Sequence, residues 1–121
     1  MSKQNFISCI VLIVLTVAIL YIWPNSIKVN IENASREIIH SIELAYTEGV
    51  KQCKSLEPNK NITFNIIPRG ESHLEIKFMD SSGNMHFKNI DVYFERNYNG
   101  YVNVKIDEAN GVIWEDHIKS R

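Results

Sequence analysis

Four histidines, His40, His73, His86 and His117, are the residues best suited to proton transfer or metal binding in this chain. Each stands alone. No pair has the i,i+4 spacing of a helical zinc site or the H-x-H spacing of a strand site. His40 is in phase with Ile38 and Ile42, which predicts a core or rim histidine. Asp80, Asp91, Asp107 and Asp116 are candidate calcium ligands by type. Asp80-Ser81-Ser82-Gly83-Asn84, however, lacks the D-x-D-x-D-G ladder and distal Glu that build a calcium loop. It reads instead as a turn capped by its own aspartate, with Gly83 free to take positive φ. No G-x-S-x-G, H-E-x-x-H or phosphate loop occurs. The expectation is a chain that is not an enzyme, with no catalytic residues, no metal and no cofactor. Cys9 and Cys53 lie in regions of opposite character, so they form no disulfide framework, and no C-x-x-C motif occurs. Cys53 is expected to be a buried, inert thiol.

The residues better suited to recognition are aromatic. Tyr93 is out of phase with Val92 and Phe94 and should point away from a core. Tyr98 and Tyr101 flank an Asn99-Gly100 turn, and Trp114 lies near the C-terminus. Tyr and Trp join a large apolar body to a polar tip, which suits protein interfaces. With the loop arginines Arg69 and Arg96, these four are the candidate protein-binding set.

Alternating strands must position them. Ile27, Val29 and Ile31 alternate with Lys28, Asn30 and Glu32. Ile62, Phe64 and Ile66, then Leu74, Ile76 and Phe78, then Val102, Val104 and Ile106 repeat the pattern. This period of two marks half-buried strands. Ile38, Ile42, Leu44 and Tyr46 are assigned one further face. Met85 and Phe87 fall in one phase and Ile90, Val92 and Phe94 in the other, which predicts a bulge or turn near Lys88-Asn89. Gln52 to Leu56 reads as a weak edge strand, and Val112 to Arg121 as a tail, a short helix or a last strand. Turns are expected at Asn33-Ala34-Ser35-Arg36, Thr47-Glu48-Gly49, residues 57–61, residues 68–72, residues 80–84 and Asn97-Tyr98-Asn99-Gly100. One apolar face per strand requires two sheets packed face to face.

The N-terminal region has a different character. From Phe6 to Trp23 run 18 residues without a charge, followed by Pro24. As a helix they would cover about 27 Å, close to the hydrocarbon core of a bilayer. Tyr21 and Trp23 stand at the end where aromatics favour the headgroup region. No small-residue cleavage site follows, and Cys9 precedes most of the apolar run, so the segment reads as an uncleaved signal-anchor. Its flanking positive charges are nearly balanced. The five-residue tail is placed inside and the domain outside. Pro24 to Ser26 leave almost no linker, so the domain should lie near the membrane surface.

The expected fold class is therefore mainly β: a single transmembrane α-helix followed by a small antiparallel β-sandwich of immunoglobulin-like or Greek-key type. The expected organisation is a tail at 1–5, the membrane helix at 6–23, the sandwich at 27–111 and a C-terminal tail at 112–121. A formal net charge of −1 with interspersed signs offers no basic patch for nucleic acid. Asn33-Ala34-Ser35 and Asn61-Ile62-Thr63 fit the N-glycosylation pattern, which is common by chance.

Val29-Asn30-Ile31-Glu32-Asn33, the loop Ile66-Ile67-Pro68-Arg69-Gly70-Glu71-Ser72, the hairpin Phe78-Met79-Asp80-Ser81-Ser82-Gly83, and Val92-Tyr93-Phe94 with Tyr98-Asn99-Gly100-Tyr101 form a recurring set. On these residues the chain resembles small bacterial exported proteins that carry an N-terminal anchor and one short β-sandwich. The resemblance rests on turn and core residues, so it implies a fold and carries over no catalytic residue. Some such proteins look like immunity or accessory factors encoded beside toxins or secretion systems. The functional expectation is a single-pass, extracytoplasmic, non-catalytic protein-binding module, on the periplasmic side of the inner membrane in a Gram-negative cell. It would touch the bilayer through Phe6 to Trp23 and a protein partner through its tyrosines. The alternative is a small bitopic subunit that acts through its transmembrane helix.

Overall fold

The computed structural model describes residues 25–120, so the anchor expected at 6–23 lies outside the described residues. Among the described residues no helix is long and apolar enough to cross a membrane. Eight strands follow in order: β1 Ile27–Asn33, β2 Ile39–Tyr46, β3 Gly49–Leu56, β4 Asn61–Ile66, β5 Ser72–Met79, β6 Met85–Phe94, β7 Asn99–Ile106 and β8 Val112–Lys119. They form two four-stranded sheets, ordered β4-β1-β7-β8 and β3-β2-β5-β6. Every pairing is antiparallel except β1 with β7, which run parallel from Ile27 beside Gly100 to Asn33 beside Ile106. The sandwich expected from the sequence is present, with this one departure from an all-antiparallel scheme.

Alternation builds the core directly. Ile27, Val29 and Ile31 of β1 are fully buried, as are Leu74, Ile76 and Phe78 of β5, and Val102, Val104 and Ile106 of β7 are buried with them. Each strand turns its other face to solvent, so burial of the two inner faces against each other is the main stabilising term. One polar side chain is sealed in as well. Asn33 is completely buried, and its amide donates to the carbonyls of Glu37 and Leu56 at 2.8 and 2.9 Å. Its Oδ1 accepts from the Ser35 N–H and hydroxyl. Every polar atom of the side chain is thus paired, and β1, the β1–β2 turn and β3 are pinned together. This leaves no free amide at the first glycosylation-type tripeptide in the folded domain.

Four sequence expectations need correction. In β2, Ile39 is buried whereas Ile38 and His40 are exposed. The cause is a bulge at Ser41 (φ 50°), which inserts one residue between the His40–Met79 and Glu43–Lys77 pairs and resets the alternation. His40 is therefore neither a core nor a rim histidine. β6 is continuous from Met85 to Phe94, with no break at Lys88-Asn89; the register shift against β5 falls between Ser72 and Leu74. Asn99 and Gly100 belong to β7, and the turn before them is 95–98. Of the three readings offered for the C-terminal segment, the last strand is the one observed: residues 112–119 extend the sandwich past 111 and pair with β7 from Ile106–Val112 to Asn99–Lys119. Their inward side chains are Val112, Trp114, Asp116 and Ile118, an edge pattern that alternation alone detects weakly.

The connectivity gives the sandwich two distinct ends. Ile27 is level with Ile66 and Gly100, so the proximal end gathers residues 25–26, the β2–β3 turn, the β4–β5 loop (67–71) and the β6–β7 turn (95–98). The distal end gathers the loops 34–38, 57–60, 80–84 and 107–111. Two of these are the same device. The Asp80 Oδ1 accepts from the N–H groups of Ser82 and Asn84, and the Asp107 Oδ1 accepts from those of Ala109 and Gly111. Gly83 (φ 86°) and Asn110 (φ 60°) take the left-handed position in each turn. The expected self-capping of the turn by Asp80, and the freedom expected of Gly83, are both observed.

Candidate functional site

Alternation along β6 places Ile90, Val92 and Phe94 inside, and so forces Met85, Phe87, Asn89, Asp91 and Tyr93 onto the outer face. Tyr93 is 53% exposed, and its hydroxyl donates to the Glu95 Oε2 at 2.7 Å. That hydrogen bond, with lesser help from desolvation and neighbouring acids, pushes the phenol up to about 12, so it stays neutral and polar-tipped. The Tyr98 ring meets Tyr93 edge-on at 6.2 Å between centroids. Tyr98 is itself half-buried against the core, which fixes the pair. The turn between them closes through the Tyr98 N–H to the Glu95 carbonyl at 3.1 Å, with Asn97 at φ 72°. Arg96 stands exposed at its apex. Three of the six expected binding residues, Tyr93, Tyr98 and Arg96, are thus gathered at one corner.

The other three are dispersed. Tyr101 projects from the outer face of the opposite sheet, where it stacks on His117 at 4.7 Å. Trp114 is in the inward phase of β8, half-buried against the core, with the Lys88 ammonium 6.0 Å from its ring centroid. It plugs the margin between the sheets instead of displaying its ring, because β8 pairs with β7 in a register that puts Trp114 opposite buried Val104. Arg69 lies in the β4–β5 loop, exposed, with its backbone N–H donating to the Glu48 Oε1 at 3.1 Å. The expected single cluster of Tyr93, Tyr98 and Tyr101 is therefore corrected to a Tyr93–Tyr98 pair and a separate Tyr101.

Sequence reasoning passed over the most exposed large apolar side chain among the described residues. Phe87 is 65% exposed and Met85 46%. Met85 pairs with Met79 and Phe87 with Lys77 across to β5, so the outer face of this sheet carries an apolar stripe at its margin. The signal was available in the run His86, Lys88, Ile90. Read as one unbroken alternation it places Phe87 and Met85 outward; the supposed shift at Lys88-Asn89 hid this.

The groups with chemical potential are engaged in structure. His86 Nε2 lies 2.7 Å from the Asp80 Oδ2, and its ring stacks on Phe78 at 5.1 Å. The His86 contact first, then the turn N–H groups, hold the Asp80 carboxyl below the usual carboxylate range. Cys53 is half-buried rather than buried, on edge strand β3, with its thiol donating to the Ser55 carbonyl at 3.1 Å. Among the described residues no group of three or more His, Cys, Asp and Glu side chains is placed to hold a metal. A hollow of about 560 Å³ lies on the outer face of the sheet β4-β1-β7-β8, beside Asn30, Asn103 and the Lys105–Glu32 ion pair (3.6 Å).

No protein-family model matches the chain, and no curated protein matches it. Among solved structures, it is similar to an NMR structure of a protein from Eubacterium rectale, with a TM-score of 0.54 and 14% identity. The match covers 76% of this chain and 88% of that one. At this identity the likeness is one of fold: the β-rich, sandwich-like domain is shared with a bacterial protein.

Proposed function

We propose that this protein is a non-catalytic binding module, anchored at a membrane by Phe6 to Trp23, that presents its sandwich outside the cytoplasm to a protein partner. A toxin-immunity or secretion accessory factor is the most concrete form of this role. The observation that carries the reading is the outer face of β6. A ten-residue strand at a sheet margin exposes Phe87, Met85 and Tyr93 in one line. Aromatic rings held on a rigid strand lose little entropy when a partner covers them, and a flexible Met beside them adapts to the partner's shape. A partner lying along β6 also meets the unpaired main-chain groups of an edge strand, so strand addition would join backbone hydrogen bonds to side-chain contacts.

The test is recovery of specific protein from detergent-solubilised native membranes by the tagged full chain. Phe87→Ala with Tyr93→Ala should abolish recovery of a band seen with the parent chain, while both chains melt alike. Recovery that is unchanged by the double substitution contradicts the reading. Exchange of Phe6 to Trp23 for an unrelated apolar helix should leave recovery intact; its loss would favour action through the helix itself.

A further inference from the structure

We infer that the proximal end of the sandwich is a bilayer-contact surface, with Ile67, Arg69, Arg96 and Tyr98 resting in the lipid headgroup layer. The inference rests on the anchor reading above and adds which surface of the domain faces the lipid. The argument is one of chain length. Trp23 and Ile27 can be separated by at most about 14 Å, even with the chain fully extended. Ile27 is the first residue of β1 and is level with the ends of β4 and β8 and the start of β7. Ser26 is tied into the same end, since its carbonyl accepts from the Gly100 N–H at 3.2 Å. A bilayer that holds Trp23 at its interface therefore lies against the loops of this end. The distal turns stand about 25 Å further out, the length of the strands between.

The chemistry of the two ends agrees. The proximal loops expose Ile67 (44%), and Tyr98 is half-buried beside them, an apolar body with a polar tip. Arg69 and Arg96 are exposed there beside three acids, Glu48, Glu71 and Glu95, so this end carries two basic groups against three acidic ones. Long basic side chains and tyrosines suit the headgroup region, where the stem can lie on acyl chains and the head meets phosphate. The distal loops are more acidic: they carry Arg36 and Lys60 against Glu37, Glu57, Asp80, Asp107 and Glu108, two basic groups against five acidic ones. Repulsion from anionic lipid would drive that end away.

The experiment uses the full chain with Cys9→Ser and Cys53→Ser, reconstituted in vesicles of phosphatidylcholine and phosphatidylglycerol. A fluorophore is placed in turn at Arg96→Cys or Thr47→Cys (proximal) and Ser82→Cys or Ala109→Cys (distal), and quenching by headgroup spin-labelled lipid is measured. Quenching should be several-fold stronger at both proximal sites than at both distal sites. Equal or reversed quenching in protein that still floats with the vesicles overturns the inference and leaves the anchor reading standing. Failure to float, with quenching at no site, overturns the anchor reading and this inference with it.

Discussion

β6 and β8 lie at the same margin of the sandwich, one in each sheet, and they handle an open edge differently. β8 spends its eight residues on Glu115, Asp116, His117 and Lys119 and exposes Ile113 as its one large apolar side chain. Charge on an edge strand discourages another strand from pairing with it. β6 is longer and lines its outer face with Met85, Phe87 and Tyr93. The remaining margins follow β8 more closely: β3 carries Lys51 and Lys54, and β4 is only six residues long with Asn61, Thr63 and Asn65 outward. β3 and β8 each expose one large apolar side chain, Val50 and Ile113, and β4 none, whereas β6 exposes three beside Lys88 and Asp91. The contrast teaches that the exposed face of β6 is a localised feature of the domain, and localisation is what a binding surface requires.

The sharpest way to break this contrast is to remove the same residue type from inside and outside the sandwich. Phe78→Ala on β5 should cost about 3–5 kcal/mol, because Phe78 is fully buried and the cavity cannot collapse. Phe87→Ala should change stability by no more than about 0.5 kcal/mol and still abolish partner recovery. Chemical denaturation of the two variants measures the difference. If Phe87→Ala unfolds the domain, the residue is structural and β6 has no free face.

A second substitution acts on the β8 side. A Cβ at Gly100 (φ 140°) would clash with the His117 carbonyl oxygen on β8. Gly100→Ala should therefore open the β7–β8 ladder, expose Trp114 and red-shift its emission, while β6 is disturbed less. Hydrogen exchange should show β8 amides losing protection first. Uniform loss across both sheets would mean that the two margins are not independent.

How far these features were legible in the sequence depends on whether alternation was intact. β1, β5 and β7 have clean alternation and were placed correctly. β2 was misphased because the bulge at Ser41 has no sequence signature; serine is not a residue that announces a positive φ. β8 was left open between a tail, a short helix and a last strand because Asp116 interrupts its apolar phase at a sheet margin where full burial is not demanded. Of the candidate site, Tyr93 was legible from its phase against Val92 and Phe94. Phe87 was not, because Lys88 occupies an inward phase. That lysine is tolerable only because it lies at the margin, above the Trp114 ring, a tertiary fact no local pattern carries.

Smaller effects probe the distal turns and the corner tyrosine. The lowered Asp80 pKa stabilises the fold above the ordinary value of 3.8, and this contribution is lost as pH falls through the lower folded value. Asp80→Asn should flatten the acid limb of the stability curve, and an unchanged limb would remove the His86–Asp80 contact from this account. At Tyr93, Glu95→Gln should bring the phenol down from about 12 towards the ordinary tyrosine value of 10.0, read by ultraviolet titration against Tyr93→Phe. A phenol unmoved by Glu95→Gln would place the cause elsewhere.

Site-specific photocrosslinking in native membranes tests the central claim most directly, with a photoreactive phenylalanine analogue introduced at Phe87 on β6 or at Glu115 on β8. The account predicts one discrete adduct from position 87, lost on adding Tyr93→Ala, and none from position 115. The same adduct from both positions, or an adduct from position 115 alone, would contradict it.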